Sequence, residues 1–306
     1  MTARVIFIGG GKGGTGKTTT AQNLASALKA SGLKVLGVDG DGQASWSHLN
    51  GLFPRKGRPN IFTAVKQLIE NFEATLAVYH LSSGLDFIPS SAALHKIVSD
   101  LAGVERSEYL LQQLLTPLLE RYDIIIIDCP PALHAWTNNI FMASNDGIIT
   151  VQLEPLGIAS AGETLEYLLA LRKRGLFKSH DLKITGGLIT MIDLRTSIHR
   201  NLADIAQEKL GAHINFFNTR IERTIQFPEA QYFGLPIDLY TKDSKGTAAY
   251  KALAEEVLSG TSLSHISQLN VPAGFADSLL LEASSIEEQV GENGAEIAWE
   301  EVSVVI

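Results

Sequence analysis

The sequence predicts an α/β fold: a doubly wound, mostly parallel sheet with helices on both faces. Three observations carry that expectation. Short β-branched apolar runs alternate with segments whose apolar residues recur at helical spacing. A glycine-rich turn joins the first such run to the first helical segment. Four consecutive isoleucines, Ile124–Ile127, read as a strand buried on both faces, the signature of a parallel sheet's centre.

The elements follow in order. Arg4-Val5-Ile6-Phe7-Ile8 is the first strand, and Ala21, Leu24, Ala25 and Leu28 mark the apolar face of the first helix, which Gly32 ends. Lys34–Asp39 is the second strand. Ile61, Phe62, Val65, Leu68 and Ile69 line one side of a helix, after a proline-rich basic loop at 54–59 that reads as a solvated surface loop. Leu85–Pro89 is a strand, and 108–121 is a leucine-rich helical segment that Pro117 either restarts or kinks. Beyond the isoleucine strand come a strand at 148–151, a helix over 158–174, a strand at 183–190 and a helix over 197–210. A short strand near 214–217, a loop and turn through 220–236 and a helix over 245–258 complete the body. Residues 1–260 are therefore expected to form one domain, and 261–306 an acidic tail, partly helical or disordered, in which Phe275, Leu279, Leu280, Ala283, Ile286 and Val290 can line one helical face.

Between the first strand and helix lies Gly9-Gly10-Gly11-Lys12-Gly13-Gly14-Thr15-Gly16-Lys17-Thr18-Thr19. Gly11, Gly16, Lys17 and Thr18 satisfy G-x-x-x-x-G-K-[ST]. Successive glycines let backbone N–H groups converge into an anion nest, where Lys17 reaches the outer phosphates and the Thr18 hydroxyl holds Mg²⁺. Asp39 and Asp41 are two residues apart, so on extended backbone both carboxylates share a face. They and Asp128 end strands at the carboxyl rim of the sheet, where the loop also sits. An acid buried at the end of an apolar strand is costly without a cation or donors nearby, so Asp128 reads as part of a Mg²⁺ shell.

Lys12 narrows the class. With Lys12-Gly13-Gly14-Thr15-Gly16-Lys17-Thr18, the sequence resembles the deviant Walker A ATPases of the ParA/MinD group, whose pattern is K-G-G-x-G-K-[ST]. Ile126-Ile127-Asp128-Cys129-Pro130-Pro131, Gly187–Thr196, Arg220–Ala230, Phe233–Ile237 and Ser244–Gly246 are similar to stretches of the ParA/Soj branch in the same order. The likeness spans about residues 3–258. It implies Mg·ATP binding by Gly11 through Thr19 and a homodimer closed by ATP, with Lys12 touching the partner's phosphates. It further implies metal support from Thr18, Asp39 and Asp128, and a water oriented by Asp41. In the usual D-x-D-P-Q segment the proline is Gly42 here, and the residue between the acids, usually bulky, is Gly40. The resemblance also places the 222–228 loop near the adenine, and it implies non-specific DNA contact by Arg195 and Arg223, with Lys242 and Lys245 as weaker additions. A ParB-like centromere-binding activator would stimulate hydrolysis. A relative that positions a compartment or membrane assembly is the alternative, and a small-molecule ligase or synthase on the same fold is more remote.

Bulk numbers bound the rest. The chain has 306 residues and a formal charge of −8, with 33 acidic and 25 basic side chains. Eight of those acids fall in 261–306, which has no lysine or arginine, so the body is neutral and announces no basic face. An acidic tail would be repelled by an anionic leaflet, and no membrane partner is expected. The single cysteine, Cys129, rules out an intrachain disulfide and the two-cysteine cluster site of nitrogenase-iron-protein relatives. The expected compartment is the cytoplasm, with association to the nucleoid.

Overall fold

A computed structural model describes residues 2–53, 58–178, 180–193, 195–260 and 264–291, the last five of these as backbone. Most of the basic loop at 54–59 and the end of the acidic tail lie outside the described residues. The strands are β1 (Arg4–Gly9), β2 (Val35–Asp39), β3 (Tyr79–His80), β4 (Asp86–Ile88), β5 (Ile124–Asp128), β6 (Asp146–Gln152), β7 (Lys183–Thr190) and β8 (Ser264–His265). They form one sheet in the order β3-β4-β2-β5-β1-β6-β7-β8. The six inner strands pair in parallel, and β3 and β8 are added antiparallel at the two edges.

Strand alternation divides the core in two. Val5, Phe7, Leu36, Val38, Ile125 and Ile127 enter one apolar cluster, with the helices Ile61–Asn71, Ala135–Ala143, Pro155–Lys173 and Ser197–Lys209. Ile6, Ile8, Val35, Ile124 and Ile126 face the other cluster, with Lys17–Ala30 and Lys245–Ser259. Both faces of β5 are thus covered, which is why it tolerates no polar residue before Asp128. Fully buried isoleucines such as Ile126 contribute about 2–5 kcal/mol each relative to alanine. Register then fixes the site: Asp39 and Ile8 both lie opposite Asp128.

Several expectations need correction. The segment at 214–217 is not a strand; it makes a single parallel bridge, Phe216 to Gly187. The stretch 220–236 contains a helix, Gln226–Tyr232, and Glu222 bridges Ile192. Pro117 neither restarts nor sharply kinks a helix, because the backbone tightens into a 3₁₀ turn over Thr116–Leu118. The helix expected from 158 begins at Pro155, whose ring suits a first turn that needs no N–H.

The largest difference is at the C-terminus. Residues 264–291, expected as an appendage, pack onto the body. β8 pairs with Lys183 and Ile184, and the helix Phe275–Gly291 buries Phe275, Ala276, Leu279 and Ala283 against Pro155–Lys173 and Ser197–Lys209. Phe275 N–H donates to Glu166 Oε1 at 2.7 Å, and Lys209 pairs with Glu282 at 3.3 Å. Asp277 and Glu282 of this helix face outward while Phe275, Leu279 and Ala283 are buried.

Candidate functional site

The glycine loop is shaped by left-handed residues and held from below. Gly14 and Gly16 have φ of +82° and +85°, a region that favours glycine. Gly16 precedes the helix Lys17–Ala30, whose first N–H groups point into the turn. Threonines from β6 and β7 anchor the loop: Thr15 and Thr150 hydroxyls are 2.9 Å apart, and Thr190 Oγ1 donates to the Thr15 carbonyl at 2.8 Å. A Cβ on Gly13 or Gly14 would meet no heavy atom within 4 Å, so the nest opens outward. A cavity of about 650 Å³ adjoins it, lined by Lys17, Thr18 and Asp41 from one side and Met191 and Gln231 from the other. Gln231 donates to Thr19 Oγ1 at 2.9 Å.

Lys17 is buried and folds over the loop, its Nζ donating to the Lys12 carbonyl at 2.6 Å. Burial lowers its pKa, against the attraction of Asp128 and Asp41. Lys12, half-exposed, pairs with Glu154 Oε2 at 2.9 Å, and Gln152 Nε2 donates to the other oxygen of Glu154 at 2.6 Å.

Three carboxylates meet this loop, in three environments. Asp128 is fully buried; Thr18 Oγ1 donates to its Oδ2 at 2.6 Å, while Oδ1 accepts no hydrogen bond among the described residues. Burial, then the nearby Asp39, raises its pKa well above the carboxylate range. Asp39 is also fully buried but satisfied. Its Oδ2 accepts from Ser47 N–H at 2.9 Å and Ser47 Oγ at 2.7 Å, and its Oδ1 accepts from Asp41 N–H at 3.1 Å. Burial pushes it up to about 6, with the Ser47 donors opposing. Asp41, at the cavity wall, accepts from Gln43 N–H at 2.9 Å; burial raises its pKa and Lys17 lowers it.

A Mg²⁺ ion fits this donor set. The orphaned Oδ1 of Asp128 and the Thr18 hydroxyl beside it are hard oxygen ligands of the kind Mg²⁺ takes, next to an anion nest. Asp39 has its lone pairs committed to its own chain and would support the ion from behind.

The two altered glycines have physical reasons. A Cβ on Gly40 would lie 2.7 Å from the Asp128 carbonyl and 2.9 Å from Ile140 Cδ1, and its own carbonyl accepts from Trp136 Nε1 at 2.8 Å. Gly42 is covered by the ring of His95. Cys129 is buried, and desolvation raises its thiol pKa well above normal, so it acts as a small core residue.

The cations expected to touch DNA lie apart from the loop. Arg195 is exposed and held bidentate by Asp193, at 2.8 and 2.7 Å, which keeps that carboxylate ionised to low pH. Arg223 is brought beside that segment by its N–H bond to the Ile192 carbonyl at 3.0 Å. Lys245 pairs with Glu222 at 3.0 Å, and Lys242 is exposed. Residues 222–226 line a second cavity of about 840 Å³ with Lys245, whereas the cavity at the loop takes Met191 and Gln231 in their place. Sequence reasoning missed Ser47, Glu154, His95 and Gln231. Only Glu154, two residues past the end of a parallel strand, carried a positional signal.

Residues 3–184 match the family model described as AAA domain (AAA_31). The chromosome partitioning protein ParA of Caulobacter vibrioides is 33% identical over 261 residues, covering 84% of this chain and 94% of that protein. The chain belongs to the ParA/MinD family. Its fold is shared by a Cyanothece McdA variant in complex with ATP (TM-score 0.71, 25% identity, 85% and 96% covered). The cobyrinic acid a,c-diamide synthase of Mycobacterium smegmatis, with bound ATP analogue and magnesium, is similar at TM-score 0.69 and 28% identity, with 84% and 94% covered. Among the described residues, no helix is long and apolar enough to cross a membrane.

Proposed function

We propose that this chain is a Mg²⁺-dependent ATPase that acts as a partition switch. ATP closes two copies into a sandwich dimer, the dimer holds DNA non-specifically, and a ParB-like activator triggers hydrolysis to ADP and phosphate. The observation that carries this reading is the pairing of two lysines of opposite character at one cradle. Lys17 is buried and committed to the loop, while Lys12 stands at the surface in an ion pair that solvent and a second anion can open.

Phosphoryl transfer to water asks for positioning and charge neutralisation more than covalent chemistry. The loop N–H groups and Lys17 hold the outer phosphates. Asp128 and Thr18 would hold Mg²⁺, which supplies Lewis-acid neutralisation of the phosphate oxygens. Asp39 holds the Asp41 N–H, and Asp41 aims the attacking water from the cavity wall. Lys12, released from Glu154, meets the phosphates of the facing subunit.

The test is mass measurement in solution with ADP and with a slowly hydrolysed ATP analogue. A dimer with the analogue and a monomer with ADP supports the switch; one mass in both overturns it. Positioning of a cargo other than DNA is the second reading. It is favoured by Arg195 and Lys245 being engaged with carboxylates of their own chain. A gel shift of random duplex DNA with ATP at low salt separates the two. DNA-based partition requires a shift that Arg195→Glu and Arg223→Glu abolish and that added salt weakens steeply.

A further inference from the structure

Gly42 directly follows Asp41 and is buried, and the group that covers it is an imidazole. A Cβ built on Gly42 would stand 2.8 Å from His95 Nδ1 and 2.9 Å from Cγ and Cε1. His95 comes from a different element, the 3₁₀ turn Ala92–Lys96 after β4, which the buried Leu94 and Ile97 fasten to the core. The other ring nitrogen, Nε2, lies 3.3 Å from Gln43 Nε2. With the ring proton on Nδ1, Nε2 accepts the Gln43 amide. The Gln43 backbone N–H in turn donates to Asp41 Oδ1 at 2.9 Å. One exposed ring therefore touches both residues after Asp41 and is fixed to neither of them by sequence.

Glycine matters at this point. Without a Cβ, the Asp41–Gly42 link has more backbone freedom than any other residue would allow there. A carboxylate that must hold a water within a fraction of an ångström of its line of attack needs that freedom removed. We infer that His95 is a positioning residue for Asp41: its ring clamps Gly42 and Gln43 and so holds the Asp41 carboxylate in aim. This rests on the reading of Asp41 as the water-positioning group.

The geometry supplies its own control. The Gly42 N–H makes no hydrogen bond among the described residues, so proline at 42 removes no bond and restricts φ by itself. The Cβ of a proline at 42 would stand 2.8–2.9 Å from the His95 ring, so proline there displaces the imidazole. The experiment uses the full chain as His95→Ala, Gly42→Pro and the double variant. His95→Ala is expected to lower kcat about tenfold, with KM changed by less than about twofold. Gly42→Pro alone also slows turnover, because its ring collides with the imidazole. The double variant recovers to within about threefold of the unmodified chain, a strong departure from additivity.

Backbone amide exchange in the nucleotide-free protein reads the clamp without turnover. Exchange at Gln43 and Ala44 should quicken about tenfold in His95→Ala and slow again in the double variant. Unchanged exchange and kcat in His95→Ala overturns the inference, and so does a double variant that merely adds the two defects. If the unmodified chain hydrolyses no ATP, the role of Asp41 fails, while exchange still decides whether His95 restrains the segment.

Discussion

The two halves of the sheet's carboxyl rim handle charge in opposite ways. On the side of β2 and β5, Asp39 and Asp128 are fully buried and Asp41 nearly so, with Asp128 and Asp41 close to the buried Lys17. On the side of β6 and β7, Lys12–Glu154 and Asp193–Arg195 are ion pairs at the surface. Burial makes the first set expensive and geometrically fixed, a cost that the cation and phosphates of the proposed function would offset. Exposure makes the second set weak, screened and exchangeable, the property required of groups that must leave their partners to meet another molecule. One half of the rim is built to hold, the other to let go.

That contrast is broken most decisively at Lys17. Lys17→Ala should weaken ATP binding by at least about 100-fold, read by titration with a fluorescent nucleotide. Retained affinity would mean that the buried half does not hold the phosphates. Asp41→Ala should leave nucleotide affinity within about threefold while turnover falls roughly 100-fold, measured as phosphate release under saturating ATP. Turnover at the parental rate would remove Asp41 from the mechanism.

The buried half should also show itself without ligand. Asp39 has a folded-state pKa of about 6 against an ordinary 3.8, so the folded chain binds this proton more tightly than the unfolded chain does. Its contribution to stability is therefore fully present below about pH 4 and disappears as pH rises through about 6, amounting at most to roughly 3 kcal/mol. Urea denaturation of the nucleotide-free chain at pH 4, 5, 6 and 7 reads this slope, which Asp39→Asn should flatten. An identical slope in the variant would show that Asp39 does not carry a proton there. The exposed half gives the smallest effect. Glu154→Gln should change stability by less than about 1 kcal/mol, and the change should vanish in 1 M salt. A larger, salt-insensitive loss would put that pair among the buried, structural ones.

The inner sheet was legible because its signals are local. Four isoleucines ending in Asp128, and a β-branched run before a glycine turn, leave few alternatives for those residues. The loop was legible for the same reason, since Gly11 through Thr18 are contiguous. What stayed hidden depends on residues far apart in the chain. Ser47 meets Asp39 only because a short helix, Ser45–Leu49, turns back after Asp41, and no periodicity marks a five-residue helix. His95 meets Gly42 across 53 positions, through the end of β4. In the C-terminal helix the apolar residues recur at helical spacing, but no local signal says that this stripe docks onto the body rather than standing apart.

Both outer strands of the sheet are two residues long, run against their neighbours and carry a histidine facing an aspartate: His80 with Asp86, and His265 with Asp181. Such brief, polar margins give another polypeptide almost no backbone to zip onto. Among the described residues, the sheet therefore offers little purchase at either margin for side-to-side growth into a continuous β-ribbon.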